Sequence, residues 1–222
     1  MNVFFIDTNI ALGYSIIHDK IHETANKLID ESNEDIFWSN LVQDEYTKKF
    51  DDILDEIEMF LKTAEKILEN NEKDFINYYS FEKYVLNRTK SCNLDIIKKQ
   101  KILNHYWKKY QFVEGISNSI YLNFKNFNKN FKKIYLVRDK KLNRMVVLHN
   151  CGLDNYLRYF NYAKQLYEWG VHKPDCKIVV DAHDCAATHD DLIFVSADRN
   201  MIEKIISHDT SFLNIMEFKS CN

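Results

Sequence analysis

The sequence predicts an α/β protein: a central parallel β-sheet layered between helices. Three observations predict it. Two short apolar runs, at 3–6 and 192–195, have the length and the β-branched and aromatic content of strands buried on both faces. Each run is closed by an aspartate, Asp7 or Asp198, with an asparagine, Asn9 or Asn200, two residues further on. Between the two runs, apolar residues recur at helical spacing over long stretches.

The elements follow in order. After the first strand, 22–32 reads as a helix crossing to a second strand at Ile36, Phe37 and Trp38. Ser39 or Asn40 can cap the next helix, and Asn40 with Gln43 has capping-box spacing. That helix runs from 41 to about 70, with Ile53, Ile57, Phe60, Leu61, Ala64, Ile67 and Leu68 on one face. Residues 74–112 hold two more helices with a break near 91–93, and Gly115 marks a turn. Residues 133–137 and 145–148 form a β-hairpin or irregular chain. Helix 153–169 stops at Gly170, with Pro174 just beyond. From Pro174 a further helix leads into the 192–195 strand, and 210–218 supplies a last strand. Five parallel strands result.

In an open α/β sheet, ligands bind just beyond the carboxyl ends of the strands. Asp7 and Asp198 are placed there and can face one another. Close carboxylates raise each other's pKa unless a cation neutralises them. The simplest cation for an all-oxygen site is Mg²⁺ or Mn²⁺. Glu45 falls in the first turns of the helix after the second strand, and Asp181 in the middle of the helix before the 192–195 strand. Asp184 shares a helix face with Asp181. Alone, Asp7 reads equally as a helix cap, and Glu45 as an acid at a helix start. Four acids in this order favour a site.

At this point the sequence resembles the PIN-domain family (PilT N-terminus-like), whose fold is a three-layer α/β/α metal-dependent nuclease. The family's apolar run followed by Asp-Thr-Asn matches Phe4, Phe5, Ile6, Asp7, Thr8 and Asn9. Its helix-opening Glu matches Glu45, its Asp-Ala helix matches Asp181 and Ala182, and its Thr/Ser-x-Asp matches Ser196, Ala197 and Asp198. The resemblance covers roughly 1–50 and 170–222, which form the core of one PIN-like domain. Residues 51–169 are then an elongated helical insertion, because the gap from Glu45 to Asp181 is about twice that of a minimal PIN domain.

The resemblance implies a divalent-metal-dependent endoribonuclease that uses Mg²⁺ or Mn²⁺. Asp7, Glu45, Asp181 and Asp198 would be catalytic and metal-binding, with Asp184 as a further ligand. Thr8, Asn9, Ser196 and Asn200 would orient the acids through hydrogen bonds, as groups behind a metal's ligands do. The expected partner is RNA, with DNA as the alternative, besides a homodimer or an inhibitory protein partner. Rival readings are a non-catalytic RNA-binding or scaffold protein on the same fold, and a structure-specific DNA nuclease.

Charge is segregated. The chain has a net charge of −3, yet 83–144 carries thirteen Lys and three Arg against Asp95, Glu114 and Asp139, a net of +13. Such segregation predicts a polyanion surface beside a metal-binding pole. Lys98, Lys99, Lys101, Lys108, Lys109, Lys132 and Lys133 are the candidate nucleic-acid contacts. The aromatics interleaved with them suit base stacking, but at helical spacing they read better as core.

Other classes are set aside. A haloacid-dehalogenase phosphatase needs a second aspartate where Asn9 stands. Five cysteines without a CxxC give neither a disulfide framework nor a zinc knuckle. His172, Cys176, His183, Cys185 and His189 crowd together, but their spacing fits no ordinary finger, while His105, His149 and His208 read as structural. No run approaches membrane-spanning length, and the first apolar run is too short for a signal peptide. The expected location is the cytoplasm. One proline and four glycines leave little room for disordered linkers.

Overall fold

A computed structural model describes residues 3–32 and 34–221. Five strands form an all-parallel sheet: β1 (Val3–Ile6), β2 (Asp35–Ser39), β3 (Val147–His149), β4 (Leu192–Ser196) and β5 (Glu217–Ser220). Their spatial order is β3-β2-β1-β4-β5. β1 and β4, the two apolar runs, pair from Val3 with Leu192 to Ile6 with Val195. Every residue of both strands is buried, so both faces of the sheet are covered at its centre. Phe5 and Phe194 stack there with ring centroids 6.2 Å apart. Fully burying side chains of this size stabilises the fold by about 1.5–3 kcal/mol each.

Parallel strands need crossover connections. α1 (Thr8–Ser15) and α2 (His22–Asp30) link β1 to β2. α3 (Asn40–Glu69), α4 (Tyr78–Arg88), α5 (Ile96–Tyr110) and α6 (Ser117–Met145) fill the long interval before β3. α7 (Leu153–Arg158), α8 (Phe160–Glu168) and α9 (Lys173–Ala186) precede β4, and α10 (Arg199–Ile206) precedes β5. Among the described residues, no helix is long and apolar enough to cross a membrane.

The chain divides into two compact units. The first comprises Met1–Ile17, Ile21–Lys48 and Arg138–Asn222, and the second His18–Lys20 and Lys49–Val137. The first holds the sheet. Residues 138–169, grouped with the insertion by the sequence, supply β3, α7 and α8 to this unit. The second unit is helical around an aromatic core. Tyr106 lies 4.9 Å from Phe124 and 5.4 Å from Phe127, and Phe127 lies 4.8 Å from Phe131, ring to ring. All four are fully buried or nearly so, which makes these aromatics core rather than stacking platforms. Asn77 and Ser80 form a capping box for α4, and Asp95 caps α5.

Several elements differ from the sequence reading. α1 is extra: all but one of its eight residues are buried, so it lacks the polar stripe that marks a helix. Residues 133–137 lie inside α6, and no hairpin forms there. Instead 147–149 is a parallel edge strand paired with β2, only three residues long and half exposed. The last strand begins at Glu217, later than expected. Leu213 and Ile215 are buried in the turn leading to the strand. The 153–169 helix breaks at Tyr159 into α7 and α8. Gly170 ends α8 as expected, at φ 85°, and Pro174 opens α9.

Candidate active site

The strand order reverses at β1. The chain adds β2 and β3 on one side, then returns to add β4 and β5 on the other. The crevice beyond the carboxyl ends at such a reversal is where an open parallel sheet binds ligands. Asp7 directly follows β1 there, and Asp198 follows β4 by two residues.

Asp7 is buried and caps α1, its Oδ1 accepting from the Ile10 amide at 3.0 Å. Its Oδ2 accepts from the Ser196 hydroxyl at 2.5 Å and lies 3.5 Å from Asn9 Nδ2. Asp198 caps α10 in the same way, with Oδ1 accepting from the Met201 amide at 3.0 Å. Its Oδ2 accepts no hydrogen bond among the described residues. Ser196 joins the two acids, since its hydroxyl donates to Asp7 and accepts from the Asp198 amide at 2.9 Å.

Burial pushes the Asp7 carboxyl up to about 6, against the opposing pull of Ser196 and the Ile10 amide. A second carboxylate, Asp175, pushes it further in the same direction. The sequence reading does not include Asp175. Its signal is an acid directly after Pro174, which marks the first turn of a helix. Because α9 runs into a parallel strand, its N-terminus lies at the carboxyl end of the sheet, beside Asp7.

Glu45 lies in the second turn of α3, and its Oε2 accepts from the Thr8 hydroxyl at 2.7 Å. The helix starts at the end of β2, where Ser39 Oγ accepts from the Val42 amide at 3.4 Å. Ser39 therefore caps it, and Asn40 lies inside the helix. Asp181 is 1% exposed, and its Oδ2 accepts from the Tyr156 hydroxyl at 3.2 Å. Its Oδ1 has no partner at bonding geometry. Burial raises its pKa, while the neighbouring Ser39, Cys151, Tyr156 and His149 pull it back. Phe5 pairs with Phe37, so Asp7 and Ser39, each two residues on, end adjacent strands. Adjacent strands lie about 4.8 Å apart, so Asp181 belongs one strand over from Asp7.

The acids thus form a row across the ends of β4, β1 and β2 rather than a tight quartet. Among the described residues, no three of Asp7, Glu45, Asp181 and Asp198 have donor atoms all within 4.8 Å of one another. Each acid is held by its own hydroxyl or amide donor, and like charges repel. Asp184 does not extend the row. It pairs with His149, Nε2 to Oδ2 3.0 Å, where the sequence suggested a further acid ligand. Thr8 and Ser196 hold acids as expected. Asn9 is exposed, and its side chain makes only a long contact to Asp7 among the described residues; Asn200, exposed on α10, bonds to none of these acids. His183 accepts from the Asn214 amide at 2.9 Å, and the Cys176 thiol donates to the Val171 carbonyl.

In the helical unit, the candidate lysines separate into two groups. Lys99 is 5% exposed and donates to the carbonyls of Thr89 and Cys92 at 3.0 and 2.7 Å. It closes the α4–α5 connection and does not face nucleic acid. Lys101 donates to the Asp19 carbonyl, and Lys98 pairs with the Asp19 carboxylate at 3.2 Å. Lys132 lies 3.4 Å from Glu58. Lys108, Lys109 and Lys133 are exposed. An ammonium group with three donors serves buried carbonyls as readily as phosphates, so lysine count alone overstates the free charge.

No family model, curated protein or solved structure gives a significant match to this chain.

Proposed function

We propose that this chain is a PIN-like, divalent-metal-dependent endoribonuclease. The observation that carries the reading is the linkage Asp7–Ser196–Asp198 at the point where strand order reverses. The donor set there is all oxygen, Asp7 is buried beside another acid, and Asp198 Oδ2 accepts no hydrogen bond among the described residues. These residues fit a hard cation that combines carboxylates with water, Mg²⁺ or Mn²⁺. Asp7 and Asp198 would hold it directly, with Asp175, Glu45 and Asp181 around them. A bound ion supplies a Lewis acid that lowers the pKa of water and stabilises charge on phosphate oxygens.

The chain's own residues do the rest. Ser196 fixes the rotamer of Asp7 and favours its ionised form. Thr8 orients the Glu45 carboxylate, which takes the proton of the attacking water. The strand ends set the spacing of the acids, so the phosphodiester is positioned on a rigid scaffold. RNA as the substrate rests on the PIN-like pattern of the acids. A second reading, an RNA-binding module without catalysis, is favoured by one observation: Asp7 and Asp198 both serve as helix caps.

Labelled single-stranded RNA and matched DNA, with Mg²⁺, Mn²⁺ or EDTA, separate the two readings. Metal-dependent cleavage by the wild type, lost in Asp198→Asn, is expected. RNA that is bound but left intact under every metal condition supports the binding module.

A further inference from the structure

Beside the carboxylate row, at the outer edge of the sheet, lies a group of different chemistry. His149 is the last residue of β3, and Cys151 follows two residues later. Asp184 reaches them from α9. One donor atom from each, an imidazole nitrogen, a thiol sulfur and a carboxylate oxygen, all lie within 4.8 Å of one another. All three residues are half-buried. Asp181, one turn before Asp184, is almost completely buried and lies against the Cys151 thiol, with its Oδ1 unpartnered.

We infer that His149, Cys151 and Asp184 form a zinc site at the edge of the sheet, with water as the fourth donor. The donors choose the metal. A thiolate and an imidazole are poor ligands for Mg²⁺ and good ones for Zn²⁺, which takes mixed S, N and O donors in a tetrahedron. The geometry is close to what the ion needs. Zinc bonds of about 2.1 Å at tetrahedral angles hold nitrogen and oxygen about 3.4 Å apart, against 3.0 Å between His149 Nε2 and Asp184 Oδ2. A few tenths of an ångström of opening admits the ion. As the Zn–S bond forms, the thiol proton passes to solvent.

The site would tie β3, a three-residue edge strand with little buried surface, to α9. That is a structural role, and it stands whether or not the carboxylate row cleaves RNA.

The test is metal binding by the purified chain after stripping with a chelator. Zn²⁺ content is measured by mass spectrometry, and Co²⁺ is titrated as a spectroscopic stand-in. One Zn²⁺ per chain is expected in the wild type, in Asp7→Asn and in Asp198→Asn, and at least tenfold weaker binding in Cys151→Ser and His149→Ala. Wild-type Co²⁺ protein should show thiolate-to-metal charge transfer and the intense visible bands of a tetrahedral ion. The charge-transfer reading needs no variant, so a misfolded Cys151→Ser leaves the test intact. No retained Zn²⁺, a Co²⁺ spectrum without thiolate character, or Zn²⁺ lost in Asp7→Asn but kept in Cys151→Ser would each overturn the site. RNA cleavage is scored separately on the same preparations, so a failed zinc site and a failed nuclease reading give different results.

Discussion

Asp7 carries an electrostatic cost that is measurable without any substrate. Its folded-state pKa of about 6 lies above its ordinary value of 3.8. Between those two pH values the folded chain binds more protons than the unfolded one, so stability falls as pH rises through the window. Above about pH 6 the ionised group costs on the order of 3 kcal/mol relative to an exposed carboxylate. Asp7→Asn removes that charge. In EDTA at pH 8 its Tm should exceed that of the wild type by several degrees, at about 2–4 °C per kcal/mol, and Mg²⁺ should narrow the gap. Calorimetry at pH 4 and pH 8 checks both the sign and the window. Ser196→Ala should push the Asp7 pKa higher still, because the lost hydroxyl stabilises the carboxylate. A pH–rate profile should then show its acidic limb displaced upward. The positions of Asp7 and Asp198 are legible in the sequence because each closes a buried strand, and the bland reading of each as a helix cap holds as well. Asp175 is not, because an acid in the first turn of a helix is ordinary, and only the fold reveals that this helix starts beside Asp7.

The helices and strands show where local pattern suffices. β1, β2 and β4 are continuous apolar runs and can be read directly, as can α3 from its 3.6-residue period. β3 and β5 are edge strands with half-exposed residues, so their pairing is decided by their neighbours rather than by their own composition. α1 escapes because it is buried almost all round. That burial gives a test at Gly13, where an added Cβ would fall 2.5 Å from Ile21 Cγ1. Overpacking of this kind costs about 1–3 kcal/mol, partly offset by the better helix propensity of alanine, about 1 kcal/mol. Gly13→Ala should lower the urea midpoint. A raised midpoint would show that Ile21 moves aside freely.

Across the whole molecule, charge count and charge function diverge. The net of +13 in 83–144 is real, but Lys99 is spent on two backbone carbonyls and Lys98 and Lys101 on Asp19. The sequence cannot separate these from Lys108, Lys109 and Lys133, because burial of a lysine depends on carbonyls supplied by other segments. The triple change of those three exposed lysines to Glu should weaken RNA binding and flatten its salt dependence, by a slope of about 0.7 for each phosphate no longer neutralised. Lys99→Met should instead lower stability by about 1–3 kcal/mol, by stranding two buried carbonyls, and leave the salt slope unchanged. Fluorescence anisotropy over a salt series, with denaturation of the same variants, distinguishes the two effects.

The central claim is that Asp7 is kept for chemistry against the interest of stability. The measurement that tests it most directly pairs RNA cleavage in Mg²⁺ with thermal denaturation, for wild type and Asp7→Asn from identical preparations. An Asp7→Asn chain at least as stable as the wild type, with cleavage reduced about a hundredfold or more, equivalent to the loss of about 2.7 kcal/mol of transition-state stabilisation, is the predicted result. Cleavage at the wild-type rate by a folded Asp7→Asn chain would contradict it.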